Sequence, residues 1–214
     1  MQLNLKKEWL PWALIIVSWL ASFYFYANFP DQVATHWNFA GEPDNYSGAG
    51  FAAFFFPGLI TLIYIMFLYL PKLDPKKDNY AGFATTYNII KNLLIAFMVL
   101  LYFFTGLNGV GYDIAINIVV PPAIGLFFII IGNFMGKIKS NWFMGIRTPW
   151  ALSNETVWNK TQRFGGKMFV LAGIILLLTP WIAEDMFMNL FIPTLLIVVL
   201  APIVYSYIVY KQLK

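Results

Sequence analysis

Cut at its charged residues, the chain falls into uncharged, largely apolar intervals at 9–30, 45–71, 92–112, 114–136, 168–183 and 186–210. A membrane-crossing helix needs about 20 such residues. The pattern therefore predicts an all-α integral membrane protein with six transmembrane helices, spanning about 9–29, 51–70, 84–107, 114–136, 165–183 and 187–210 of one polytopic domain. The third helix is expected to start before Lys91, between Gly82 and Tyr87, with that lysine snorkelling toward the membrane surface. The fifth interval has only 16 residues and reaches spanning length if Lys167 also snorkels and the helix begins near Phe164. Pro57, Pro121, Pro122, Pro193 and Pro202 fall in or near these helices, and Pro121 and Pro122 predict a kink near the start of the fourth. Two long polar segments remain, at 30–50 and 137–166, and short links join the third helix to the fourth and the fifth to the sixth as antiparallel neighbours.

Charge then orients the helices. With both termini in the cytoplasm, all 14 Lys and Arg fall on inner segments, as the positive-inside rule requires. The outer segments carry Asp31, Glu42, Asp44, Asp113, Glu184 and Asp185 instead. Composition agrees: 60% of residues are hydrophobic and 11% charged, against roughly 25% charged in soluble domains. The basic residues border apolar runs rather than forming a patch of nucleic-acid size, so no direct nucleic-acid binding is expected. The absence of cysteine excludes disulfides and thiol chemistry. Lys6 and Lys7 precede a first run too long for a signal-peptide core and without a small-residue cleavage pattern, which predicts an uncleaved first span.

The outer segment, FPDQVATHWNFAGEPDNY at 29–46, gathers Asp31, Thr35, His36, Trp37, Asn38, Glu42 and Asp44. Gly41-Glu42-Pro43-Asp44 is expected to form its turn. One reading makes Trp37 and Phe39 headgroup-depth aromatics while His36 and Asn38 satisfy loop backbone. A metal reading would join His36 to Asp31, Glu42 or Asp44, but one imidazole with carboxylates is thin support for zinc. No metal or other cofactor is expected.

The inner segment, NWFMGIRTPWALSNETVWNKTQRFGGK at 141–167, holds both arginines. Thr148-Pro149 should break the chain, Ser153 should cap a helix with Glu155 in its first turn, and a short amphipathic cytoplasmic helix should run from Asn154 to about Phe164. Lys160, Arg163 and Lys167 would share one face and Val157, Trp158 and Thr161 another. Gly165-Gly166 should then loosen or end that helix. Such a basic face suits anionic lipid headgroups, or a cytosolic partner. No HExxH, GxSxG or Walker-type sequence is present, the apolar intervals contain no carboxylate, and only Lys91 approaches an intramembrane charge.

These two segments, together with the length and the six-helix layout, resemble the bacterial SdpI family. The resemblance rests on Asp31, His36, Trp37, Asn38, Gly41, Glu42 and Asp44 outside. Inside it rests on Asn141, Trp142, Gly145, Arg147, Pro149, Trp150, Ser153, Glu155, Trp158, Lys160, Arg163, Gly165 and Gly166. It departs from the expected pattern at Gln162, in place of histidine, and at Ala151, in place of threonine. The resemblance implies a non-enzymatic, multi-pass protein of the bacterial plasma membrane that confers immunity to a secreted toxin peptide bound by the outer segment. It further implies that the inner segment can hold an ArsR-type repressor. The alternatives are a small transporter or lipid flippase, which the lack of buried charge disfavours, and, more weakly, a metal-dependent membrane hydrolase.

Overall fold

The computed structural model describes residues 8–38, 40–181 and 184–213, and within 184–188 the backbone alone. Lys6, Lys7, Phe39 and Lys214, and the side chains of Glu184 and Asp185, lie outside the described residues. The elements are α1 (Trp9–Asn28), β1 (Gln32–Trp37), β2 (Pro43–Gly48), α2 (Ala49–Leu73), α3 (Ala84–Gly109), α4 (Ile116–Met135), α5 (Pro149–Ser153), α6 (Glu155–Leu177) and α7 (Glu184–Gln212). Tight 3-10 turns at Lys77–Phe83 and Thr179–Trp181 connect α2 to α3 and follow α6. Among the described residues six helices are long and apolar enough to cross a membrane, as the hydrophobic pattern predicts. Their outward side chains are apolar too: Leu20, Leu62, Leu196 and Val204 are all exposed, a distribution suited to lipid as solvent. The chain forms two compact units.

The first unit comprises 8–68 and 91–120. Ile15 of α1, Ile60 and Tyr64 of α2, and Ile95 and Val99 of α3 form its buried cluster. Tyr102 donates from α3 to the Ala53 carbonyl of α2 at 2.8 Å, so one hydroxyl is satisfied and two helices are joined. At the start of α1, Glu8 accepts from Lys91 at 2.5 and 2.6 Å and from the Tyr64 hydroxyl at 3.2 Å. Lys91 is 1% exposed and Glu8 4%. Lys91 therefore does not snorkel to solvent. A carboxylate at the start of α1 meets it first, and the expectation that the chain lacks buried charge is corrected accordingly.

The second unit comprises 69–90 and 121–213. In it α4 and α6 meet at two glycine pairs, Gly132 with Gly166 and Gly125 with Gly173. A Cβ on any of the four would lie 2.5–2.6 Å from the carbonyl oxygen of its partner. Only glycine permits that approach, the membrane equivalent of a small-residue seam. This overturns the expectation that Gly165-Gly166 ends a helix: α6 runs unbroken through both, because Gly166 is pressed on Gly132 and Gly165 on the Ile146 side chain. The expected short amphipathic helix is thus the first turns of the fifth span. The separate short helix is α5, capped by Thr148, and the cap of α6 is Asn154 rather than Ser153. On α7, Tyr205 stacks on Phe164 and Tyr207 meets Trp150, with ring centroids 4.3 and 5.1 Å apart.

Candidate functional site: an outer hairpin and a buttressed inner segment

The outer segment is a β-hairpin. Gln32 stands opposite Gly48 and Trp37 opposite Pro43, and the register shifts between Ala34 and Trp37. Asn38 builds the turn: its N–H donates to the Glu42 carbonyl at 2.9 Å, its side-chain oxygen accepts from the Glu42 N–H at 3.0 Å, and its amide nitrogen donates to the Glu42 carboxylate at 3.1 Å. The turn is therefore Asn38–Glu42, not Gly41–Asp44, with Gly41 at φ +83°. Pro43 instead opens β2, a strand position where a missing N–H is tolerated.

Across the strands His36 Nδ1 lies 2.5 Å from Asp44 Oδ1, and Thr35 Oγ1 3.1 Å from Ser47 Oγ. Asp31, His36, Glu42 and Asp44 are exposed, Trp37 half-buried and Val33 buried. Asn117, at the start of α4, donates to the Ala40 carbonyl at 3.0 Å and ties down the hairpin tip. Between the hairpin and helices of the same unit lies a cavity of about 370 Å³. Phe29, Phe51, Phe55 and Phe56 line it together with Thr35, His36, Asn45 and Ser47. The sequence-predicted outer residues thus share one small sheet, with His36 and Asp44 engaged with each other and Glu42 with Asn38. Among the described residues no three His, Asp or Glu side chains gather where a metal ion could be held.

The inner segment is a folded loop rather than a free tether. Asn141 is buried; its side-chain oxygen accepts from the N–H groups of Phe143 and Met144 at 2.9 and 2.6 Å, and its amide donates to the carbonyls of Lys139 and Met144. Gly145 then turns at φ +91°, a conformation natural to glycine. Gln162, fully buried, closes the loop by accepting from the Ile146 N–H at 3.0 Å and donating to the Ile146 carbonyl at 2.8 Å. A carboxamide donates and accepts at once. A neutral imidazole could do the same, but a protonated one would lose the acceptor, so glutamine here makes the closure independent of pH.

Arg147 donates to the Trp142 carbonyl at 2.6 Å. Thr148 accepts from the Ala151 N–H and donates to Ser206 of α7 at 2.9 Å, with Pro149 at the first helical position where proline is favoured. Ser153 ends α5, bonded to the Trp150 carbonyl, and Glu155 lies exposed in the first turn of α6. The division of α6 into faces is as the spacing predicts: Lys160, Arg163 and Lys167 are exposed, while Val157, Trp158 and Thr161 are buried. Trp158 donates to the Ile138 carbonyl at 2.7 Å. It is thus part of the interior and is not available as contact area for a partner.

What the sequence reading missed is the buttress. Asp74, 2% exposed, accepts from the Lys76 N–H at 2.7 Å through one oxygen, and from the Tyr80 hydroxyl and the Trp142 N–H, each at 2.9 Å, through the other. Lys76 donates to Ser140 Oγ at 2.7 Å and to the Leu152 carbonyl at 3.2 Å, and Asn79 donates to the Ser140 carbonyl at 2.7 Å. The signal was present: Asp74-Pro75 is a turn-initiating pair, and an aspartate bonding the N–H two residues on is an Asx turn.

Comparison with known proteins bears on both segments. Residues 137–206, which contain the inner segment, match the SdpI/YfhL protein family. Residues 13–61, which contain the hairpin, match a domain of unknown function, DUF1648. The chain is 27% identical over 210 residues to the "Immunity protein SdpI" of Bacillus subtilis (strain 168), covering 98% of this chain and 99% of that one. No solved structure matches it. With six apolar helices among the described residues, a family match at the inner segment and 27% identity along nearly the whole length, the chain is similar to the SdpI family.

Proposed function

We propose that this chain is a non-enzymatic immunity protein of the bacterial plasma membrane, protecting its producer from a secreted, membrane-active peptide. The observation that carries the reading is the near full-length match to an immunity protein, which includes both polar segments. In this reading both termini and the inner segment are cytoplasmic, and the hairpin faces outward. Residues 30–50 contain Asp31, Glu42 and Asp44 and no Lys or Arg, so the hairpin field favours a cationic or neutral peptide over an anionic one. Trp37 and the phenylalanine-lined cavity beside the hairpin supply apolar contact.

Two experiments test this arrangement. Introduced singly into this Cys-free chain, Asn45→Cys should react with an impermeant thiol reagent in intact cells and Ser153→Cys should not; the reverse pattern would contradict the orientation. Trp37→Ala should weaken protection of a sensitive strain, with binding reduced roughly 30-fold if the indole is an anchor worth about 2 kcal/mol. Full protection by Trp37→Ala and by His36→Ala at normal membrane levels would remove the hairpin from recognition.

The exposed rim of the inner segment, Trp142, Phe143, Arg147 and Lys160, is the surface for an ArsR-type repressor. Retention at the membrane of a repressor encoded beside this chain, lost in Lys160→Glu, supports that role; retention unaffected by this change and by Trp142→Ala counts against it. One observation favours a second reading, a small transporter: the buried Glu8–Lys91 pair, since intramembrane charges mark ion and substrate paths.

A further inference from the structure

We propose that the unit containing α4 and α6 binds one anionic phospholipid at a defined site, with the headgroup in a cationic cleft and an acyl chain along the α4–α6 groove. The cleft, about 450 Å³, is lined by residues 81–86 together with Gly136, Lys137, Lys139, Asn159 and Arg163. It brings together three cations and no carboxylate. Among the described residues the ion pairs are His36–Asp44 and Lys91–Glu8, so none of these cations is neutralised by the protein.

Two glycines seat the cations. The Lys139 side chain passes 3.5 Å from where a Gly82 Cβ would stand, and Arg163 Cγ 3.2 Å from that of Gly136. The long stems therefore lie against bare backbone and carry their charges to the cleft.

At Gly136 and Arg163 the cleft joins a groove of about 600 Å³, lined by Gly132, Asn133, Gly166, Lys167, Val170, Leu171 and Ile174. The groove exists because Gly132 and Gly166 bring α4 and α6 together without side chains to fill it. Its lining passes from Lys167 to Val170, Leu171 and Ile174 along one face of α6. Cations at one end and an apolar channel leading from them match the two halves of an anionic lipid. Free phosphate would engage the cleft and leave the groove empty, and an acidic peptide would not follow the groove into the apolar span. The site rests on the inward placement of the basic segment proposed above.

Native mass spectrometry of the full chain in detergent, titrated in turn with phosphatidylglycerol, phosphatidylcholine and inorganic phosphate, tests the proposal. Phosphatidylglycerol should give a single retained adduct, roughly tenfold or more favoured over phosphatidylcholine. Millimolar phosphate should not displace it. Lys139→Gln with Arg163→Gln should lower retention by about the same factor. Lys72→Gln with Lys211→Gln, an equal change in charge outside the cleft, should leave it intact, and Ile174→Trp, which fills the groove, should weaken it. Equal retention of both lipids, equal loss in the two double variants, displacement by phosphate, or no effect of Ile174→Trp would each overturn the site. Labelling of Ser153→Cys from outside would reverse the orientation while leaving this readout intact, so the two failures are distinguishable.

Discussion

Lys91→Ala is expected to destabilise the protein by about 3–5 kcal/mol, because it strands the Glu8 carboxylate in the interior. Glu8→Ala should cost a similar amount by stranding the lysine. The neutral double variant Glu8→Gln/Lys91→Met should recover most of that loss, since two buried charges are then removed together and replaced by groups of similar volume. Thermal unfolding in detergent of Glu8→Gln, Lys91→Met and their double variant closes the cycle. Additive losses would mean that the pair is not coupled as the 2.5 Å contact requires. The same double variant separates the two functional readings. A binding protein should retain protection once stability is restored, whereas a transporter using the pair as an ion path should lose activity while remaining folded.

Asp74→Ala should be the most damaging change to the support of the inner segment, at about 3 kcal/mol or more, because hydrogen bonds to a charged group contribute roughly 1.5–3 kcal/mol each. Three donors converge on this carboxylate, from Lys76, Tyr80 and Trp142. Asp74→Asn should cost about half as much. Its oxygen can still accept from Lys76 and the Tyr80 hydroxyl can rotate to accept, but the Trp142 N–H is left facing another donor. A loss of stability for Asp74→Ala within the range of ordinary surface substitutions, about 0.5 kcal/mol, would show that the buttress does not hold the segment.

The six spans were legible because a bilayer forces each crossing to appear as a long uncharged run, and the two faces of α6 because 3.6-residue periodicity separates Lys160 and Arg163 from Val157 and Trp158. The hairpin was not. In QVATHW only Val33 is buried, and every residue of PDNYSG is exposed or half-buried, so no alternation of apolar and polar positions announces the strands. Gly165-Gly166 reads locally as a break. Its meaning emerges only when Gly166 and Gly173 are matched with Gly132 and Gly125, the same seven-residue spacing on a helix 34 positions away from it at the closest pair. Glu8 sits at the border of the first apolar interval, so cutting the chain at its charges places it outside every span. Its partner is 83 residues distant. Of the candidate site, residue types and location were readable, but whether each faces outward was not: Asn141 and Trp158 are interior groups, while Trp142 and Arg147 lie on the surface.

Survival measures protection directly. Expressed in a bacterium sensitive to the secreted peptide proposed above, the intact chain should permit growth at peptide concentrations that kill cells carrying an empty vector, and the Glu8→Gln/Lys91→Met variant should protect as well. Killing at the same concentration with and without the chain, at verified membrane levels, would contradict the account.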